Sequence, residues 1–102
     1  MSDIAVQDTY PEDYSHCFGC GCLNAHGHQI KSYWDGETSV CRFRPEPHHT
    51  ALPGFAYGGL IASLIDCHAT GTACAAAYQE QGRPLGSTPP LRFVRSEEHT
   101  SE

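Results

Sequence analysis

Two stretches of the chain alternate between apolar and polar positions, and a third, longer stretch is apolar almost throughout. Ile30-Lys31-Ser32-Tyr33-Trp34 reads as a strand, Asp35-Gly36 as a hairpin turn, and Thr38 to Arg44 as the returning strand. In that second strand Val40 and Arg42 fall on one face and Cys41 and Phe43 on the other, and Pro45 and Pro47 end it. Gly58 to Gln79, GGLIASLIDCHATGTACAAAYQ, holds no Lys, Arg or Glu. It predicts a helix of roughly 33 Å, apolar or small on nearly every side, and therefore a central buried helix. The loop EQGRPLGSTPP then leads to Leu91-Arg92-Phe93-Val94, where another strand is expected to begin. The order strand, strand, buried helix, strand implies an α+β fold with an antiparallel sheet wrapped around one helix.

The flanking segments lack such patterning. Residues 1–15 are polar and acidic, read as a mobile lead-in, and do not resemble a secretory signal or transit peptide. Residues 16–28, HCFGCGCLNAHGH, form a Gly/Cys/His loop. After Val94 the octet RSEEHTSE (95–102) changes character abruptly and matches one reading frame of a common sequencing adapter, so residues 16–94 are expected to be a partial domain lacking its last strands. His99 accordingly carries no functional weight. A length of 102 residues suits one domain, and with no unbroken apolar run of about 18 residues no transmembrane helix is expected. Twelve acidic against six basic residues give a net charge of −6, which argues against nucleic acid or an anionic membrane as the main partner. A reducing cytoplasm, with all thiols free, is the expected location.

Candidate chemistry concentrates at the helix start. Gly58-Gly59 opens the helix where backbone N–H groups lack partners and the dipole is positive, and glycines there let a carbonyl or phosphate approach closely. Asp66 lies seven residues on, within about 20° of Gly59 around the axis, and Ser63 and Thr70 share that face. A carboxylate in so apolar a helix is either hydrogen-bonded locally or functional. His68 points away from Asp66 and is read as a packed or interface histidine, so the pair is no nucleophilic dyad.

Six cysteines divide into a cluster and three isolated positions. Cys41, Cys67 and Cys74 read as small hydrophobes. Cys17, Cys20 and Cys22, with His16, His26 and His28, leave three readings open: a packed structural loop, which is favoured; a zinc knuckle completed by a nearby histidine or Cys41; and, last, a redox pair. His48 and His49 are adjacent and so poorly placed to share one ion. Arg83 and Arg92 could meet a phosphate, although a solvated role is the default, and Tyr33 and Trp34 are expected to pack the sheet.

The run from His49 to Asp66 (HTALPGFAYGGLIASLID) resembles the hotdog-fold acyl-CoA thioesterases of the 4-hydroxybenzoyl-CoA and phenylacetate-degradation type. Their central helix opens with H-x-G-x-P-G-x-x-H-G-G-x-x-x-x-L-x-D. Cys17-Phe18-Gly19-Cys20-Gly21, with Asn24 and Gly27, is similar to the C-F-G-C-G-x-x-N-x-x-G opening of one branch. Tyr57 stands where His is usual, Ala51 replaces a frequent Gly, and Cys67 follows the aspartate where many relatives carry Glu.

The resemblance covers about residues 16–94 and implies a partial hotdog domain hydrolysing a small or aromatic acyl-CoA to acid and CoA. It implies Asp66 as general base or nucleophile and the Gly59 N–H as the donor that polarises the thioester carbonyl. His49, Tyr57, Gly58, Ser63 and Thr70 then border the substrate. No metal or tightly bound cofactor is implied, since CoA arrives with the substrate, and the working form is a homodimer or homotetramer with sites across the subunit interface. Two rivals are a non-catalytic hotdog protein that binds acyl-CoA or an acyl carrier, and a small zinc-binding interaction module built on the Cys17 loop.

Overall fold

The computed structural model describes residues 3–91, and within them the chain forms one long helix, one short β-hairpin and two 3-10 turns. Strand β1 (Ser32–Trp34) pairs antiparallel with β2 (Ser39–Cys41), with Ser32 opposite Cys41, Tyr33 opposite Val40 and Trp34 opposite Ser39. Helix α1 spans Gly58–Glu80. Among the described residues this is a small α+β arrangement with a two-stranded antiparallel sheet.

The hairpin falls where the Asp35-Gly36 signal predicts. Asp35 accepts the Glu37 and Thr38 backbone N–H groups at 2.8 and 2.7 Å and the Thr38 hydroxyl at 2.9 Å, and Gly36 takes φ +102°. Those bonds hold the Asp35 carboxyl at about 2, below the ordinary carboxylate range, chiefly through the Thr38 amide and then that of Glu37. Both strands are shorter than the alternation predicts. Ahead of β1 the backbone turns to the cysteine loop instead: the Ile30 N–H donates to the Gly19 carbonyl at 3.0 Å and the His28 N–H to the Phe18 carbonyl at 2.8 Å. A ladder ends where its amides find other acceptors. The strand expected from Leu91 to Val94 lies, beyond Leu91, outside the described residues.

α1 departs from the expectation of a helix buried on all sides. Its buried residues are Leu60, Cys67, Gly71, Cys74, Ala75 and Tyr78, one stripe at helical spacing. The opposite face, with Ala62, Ile65, Asp66, Ala69, Ala73 and Ala76, is exposed. An apolar composition permits burial on every side, but the described chain covers one side, with β1, the first 3-10 turn (Val6–Thr9) and the cysteine loop. By length and composition α1 is also apolar enough to cross a membrane, although the sequence holds no unbroken apolar run there, and 28% of the qualifying stretch is buried.

Residues 5–7, expected in a mobile lead-in, are packed into the core: Ala5 is 1 % exposed, and Val6 and Gln7 are 0 % exposed. Gln7 joins the elements. Its Oε1 accepts the Ser32 N–H at 2.7 Å and its Nε2 donates to Ser32 Oγ at 3.0 Å, while Ser32 Oγ meets His68 Nδ1 at 2.8 Å. Gly71 makes room for this clamp, because a Cβ there would stand 2.6 Å from Gln7 Nε2. At the far end Gln79 accepts from Trp34 Nε1 at 2.8 Å and donates to the Gly36 carbonyl at 2.9 Å, pinning the hairpin to the last turn of α1.

The helix stops on a glycine-based cap. Gly82, with φ +67°, donates to the Gln79 carbonyl at 2.9 Å, and the Arg83 N–H donates to that of Tyr78 at 2.9 Å.

Candidate functional site

The start of α1 is open. Tyr57 occupies the cap position with no side-chain hydrogen bond, and among the described residues the Gly58 and Gly59 N–H groups meet no acceptor. Both glycines are exposed. The Tyr57 ring lies over Gly59 so closely that a Cβ there would sit 2.5 Å from its Cε2. The loop before the helix closes on itself: Thr50 bridges Ala56, and the Tyr57 N–H donates to the His49 carbonyl at 3.3 Å. Its tip, with Gly54 at φ +89°, leaves Leu52 and Phe55 exposed.

His49 packs among rings, with centroids 4.3 Å from His48 and 5.1 Å from His28, and its Nδ1 accepts the Glu46 N–H at 2.9 Å. Loss of hydration, then the nearby His48 and His28, hold its imidazole below the ordinary histidine range.

Asp66 is exposed on the described chain, which corrects the picture of a carboxylate buried inside the helix. Ser63 and Thr70, on the same flank, are half-buried. The rise between Gly59 and Asp66 is about 10 Å along the axis. His68 faces the other flank, as the spacing predicts. There a cleft of about 330 Å³ is lined by Cys41, Phe43, Leu64, Ile65 and His68. The buried Gln7–Ser32–His68 chain fixes the imidazole at the cleft wall. Ser32 itself is 0 % exposed, so its hydroxyl orients His68 and is closed to any substrate.

Arg83 is spent within the fold. It lies 4.8 Å from the centre of the Tyr78 ring, Nε meets Ser87 Oγ at 3.1 Å, and Nη2 reaches the carbonyls of Ser87 (3.0 Å) and Pro89. A guanidinium so engaged holds the return loop and is not a ready phosphate contact. Arg92 lies outside the described residues.

The cysteine loop has a different third member from those its spacing suggests. Cys17, Cys20 and Cys67 place their sulfurs within 4.8 Å of one another, and Cys17 Sγ is 3.9 Å from Cys67 Sγ. Among the described residues Cys22, Cys41 and the loop histidines stand outside this group. Cys67 is thus more than a small hydrophobe, whereas Cys74 does behave as one, 3 % exposed. Hydrogen bonding from the Cys20 and Cys17 thiols brings Cys67 down to about 7 and pushes the Cys20 thiol up. The meeting joins residues 50 positions apart in sequence, and the cysteine count was its one sequence signal. Gln7 and Ser32 carried none, since a polar pair in polar surroundings has no pattern of its own.

No protein-family profile, curated protein or solved structure matches this chain. The functional reading therefore stands on the residues and their geometry.

Proposed function

We propose that this chain is a hotdog-type acyl-CoA thioesterase of the cytoplasm, acting as a homodimer or homotetramer on a small or aromatic acyl thioester. The observation that carries the reading is the exposed face of α1. A helix face left to water ordinarily carries Lys and Glu. This one is mostly Gly, Ala and Ile, with Asp66 as its sole ionised group before Glu80 at the very end of the helix. Such a surface suits coverage by a second subunit, with one carboxylate kept at the seam.

The reaction needs a polarised thioester carbonyl and an activated nucleophile. In this reading the Gly59 N–H at the positive end of α1 receives the carbonyl oxygen and stabilises it as negative charge develops. Asp66 then either takes a proton from water, whose oxygen adds to the acyl carbon, or attacks that carbon itself; collapse of the adduct expels the CoA thiolate. On the second route water then hydrolyses the acyl–aspartyl anhydride to release the acid and restore the carboxylate. An axial rise of about 10 Å is too long for one chain's amide and carboxylate to serve one carbonyl. The pair acting together would come from two chains, which fits a site at a subunit interface.

Tyr57 favours a second reading. Its ring lies on the Cα side of Gly59 and replaces the His of the thioesterase pattern, which suits acyl-CoA binding without turnover. A panel of acyl-CoAs with free-thiol detection separates the two. Turnover reduced about 10²–10⁴-fold by Asp66→Ala, with the fold intact, supports the hydrolase. Saturable acyl-CoA binding without thiol release in the unmodified protein supports the binder and refutes the hydrolase.

A further inference from the structure

We propose that Cys17, Cys20 and Cys67 form a zinc site that fastens the glycine-rich loop to the middle of α1. The proposal is independent of the thioesterase reading. Its first support is distance. Tetrahedral zinc with Zn–S bonds of about 2.3 Å holds its sulfurs about 3.8 Å apart. Cys17 and Cys67 stand at 3.9 Å, and the three sulfurs lie within 4.8 Å of one another. A disulfide would need about 2.05 Å, so these thiols are spaced for a shared ion rather than for a bond to each other.

The loop is also shaped around the sulfurs. The Gly19 N–H donates to Cys17 Sγ at 3.3 Å, a bond that favours the thiolate a metal requires. A Cβ on Gly19 would stand 2.5 Å from Cys67 Sγ, so only glycine lets the helix thiol reach the knuckle. At Gly21 a Cβ would stand 2.4 Å from the Cys17 backbone nitrogen and 2.5 Å from the Ser15 carbonyl, so the turn that presents Cys20 is equally intolerant. Cys20 and Cys67 are each 7 % exposed, and Tyr10 and Cys41 pack against them, while Cys17 is exposed and leaves a path for the ion.

Charge completes the case. Among the described residues no lysine or arginine side chain hydrogen-bonds these sulfurs, so three thiolates formed there would need a bound cation to offset their charge. Binding converts three thiols to thiolates and releases their protons to solvent, with no change of oxidation state. Soft sulfur ligands select zinc over the hard divalent ions, and a solvent molecule on the Cys17 side would complete four-coordination.

The test uses the full chain and zinc alone. Protein purified under reducing conditions, loaded with zinc and passed over a desalting column is expected to keep one equivalent. Cys67→Ser and Cys17→Ser are expected to keep none, with Cys22→Ser and Cys74→Ser unchanged. Because Cys67→Ser could fail to fold, alkylation mapping of the unmodified protein provides a second reading. Zinc should protect Cys17, Cys20 and Cys67 while Cys22 stays reactive, and cobalt in place of zinc should give thiolate charge-transfer bands. Three results would overturn the proposal: less than stoichiometric zinc in the folded protein, protection that spares Cys67, or retention of zinc by a folded Cys67→Ser variant.

Discussion

Gly71→Ala should destabilise this protein even though it replaces the poorest ordinary helix former with the best. On an exposed helix face the exchange gains about 1 kcal/mol. At position 71 the new methyl would stand 2.6 Å from Gln7 Nε2, 3.4 Å from Ser32 Oγ and 3.5 Å from Gln7 Cδ. Gln7 is 0 % exposed and has no empty space to retreat into, so relieving the clash means giving up its bonds to the Ser32 N–H (2.7 Å) and Ser32 Oγ (3.0 Å). Each buried group left unsatisfied costs about 1–3 kcal/mol, so giving up the two bonds costs about 2–6 kcal/mol against a gain of about 1. The expected net effect is destabilisation by about 1–5 kcal/mol, and each kcal/mol lowers Tm by about 4–8 °C in a domain of this size. Thermal and urea unfolding would measure it. The decisive control is the same exchange in a Gln7→Ala background, where the obstructing amide is gone and Gly71→Ala should become stabilising by about 1 kcal/mol. Stabilisation by the single substitution, or the same sign in both backgrounds, would refute the claim that Gly71 exists to admit Gln7.

The remaining predictions concern the hairpin and the exposed helix face. The Asp35 carboxyl is held at about 2, below its ordinary 3.8, so its contribution to stability is fully present above about pH 4 and fades as pH falls toward 2. Tm profiles of the unmodified protein and Asp35→Ala should therefore lie apart at neutral pH and converge near pH 2; a constant gap across that range would contradict the hydrogen-bond assignment. Ile65 is 67 % exposed, so Ile65→Glu should change the stability of the isolated subunit by no more than about 0.5 kcal/mol. Under the thioesterase proposal it should nevertheless abolish self-association in sedimentation velocity, and an unaltered oligomer would move the subunit contact to another face. Asp66→Asn, also exposed, should leave the unfolding midpoint within the same margin while removing turnover; a large loss of stability would mean that Asp66 holds the fold.

Several elements were legible because their signals are local. The Asp35-Gly36 turn depends on one side chain bonding its neighbours' amides and on one glycine with positive φ, and the hairpin forms there. The long helix follows from an unbroken run of compatible residues, whereas β2 ends at Cys41, short of the prolines at 45 and 47. Which side of α1 would be covered was not legible. A helix apolar all round carries no preferred inward face, so the stripe from Leu60 to Tyr78 was chosen by the elements that happened to reach it.

By itself, then, the sequence determined the hairpin, the long helix that follows it, and the spacing that puts Gly59 and Asp66 on one flank with His68 on the other. Those are properties of backbone geometry over a few residues, and any chain with this local order would share them. Tertiary structure alone decided that the acidic lead-in enters the core through Val6 and Gln7, that Asp66 faces outward on the described chain, and that Cys67 joins Cys17 and Cys20. Each of these depends on contact between segments tens of residues apart, where no periodicity links the partners. The thiol at position 67 reads as a small apolar group in its own helix, and it becomes a candidate ligand only when the loop carrying Gly19 folds against it.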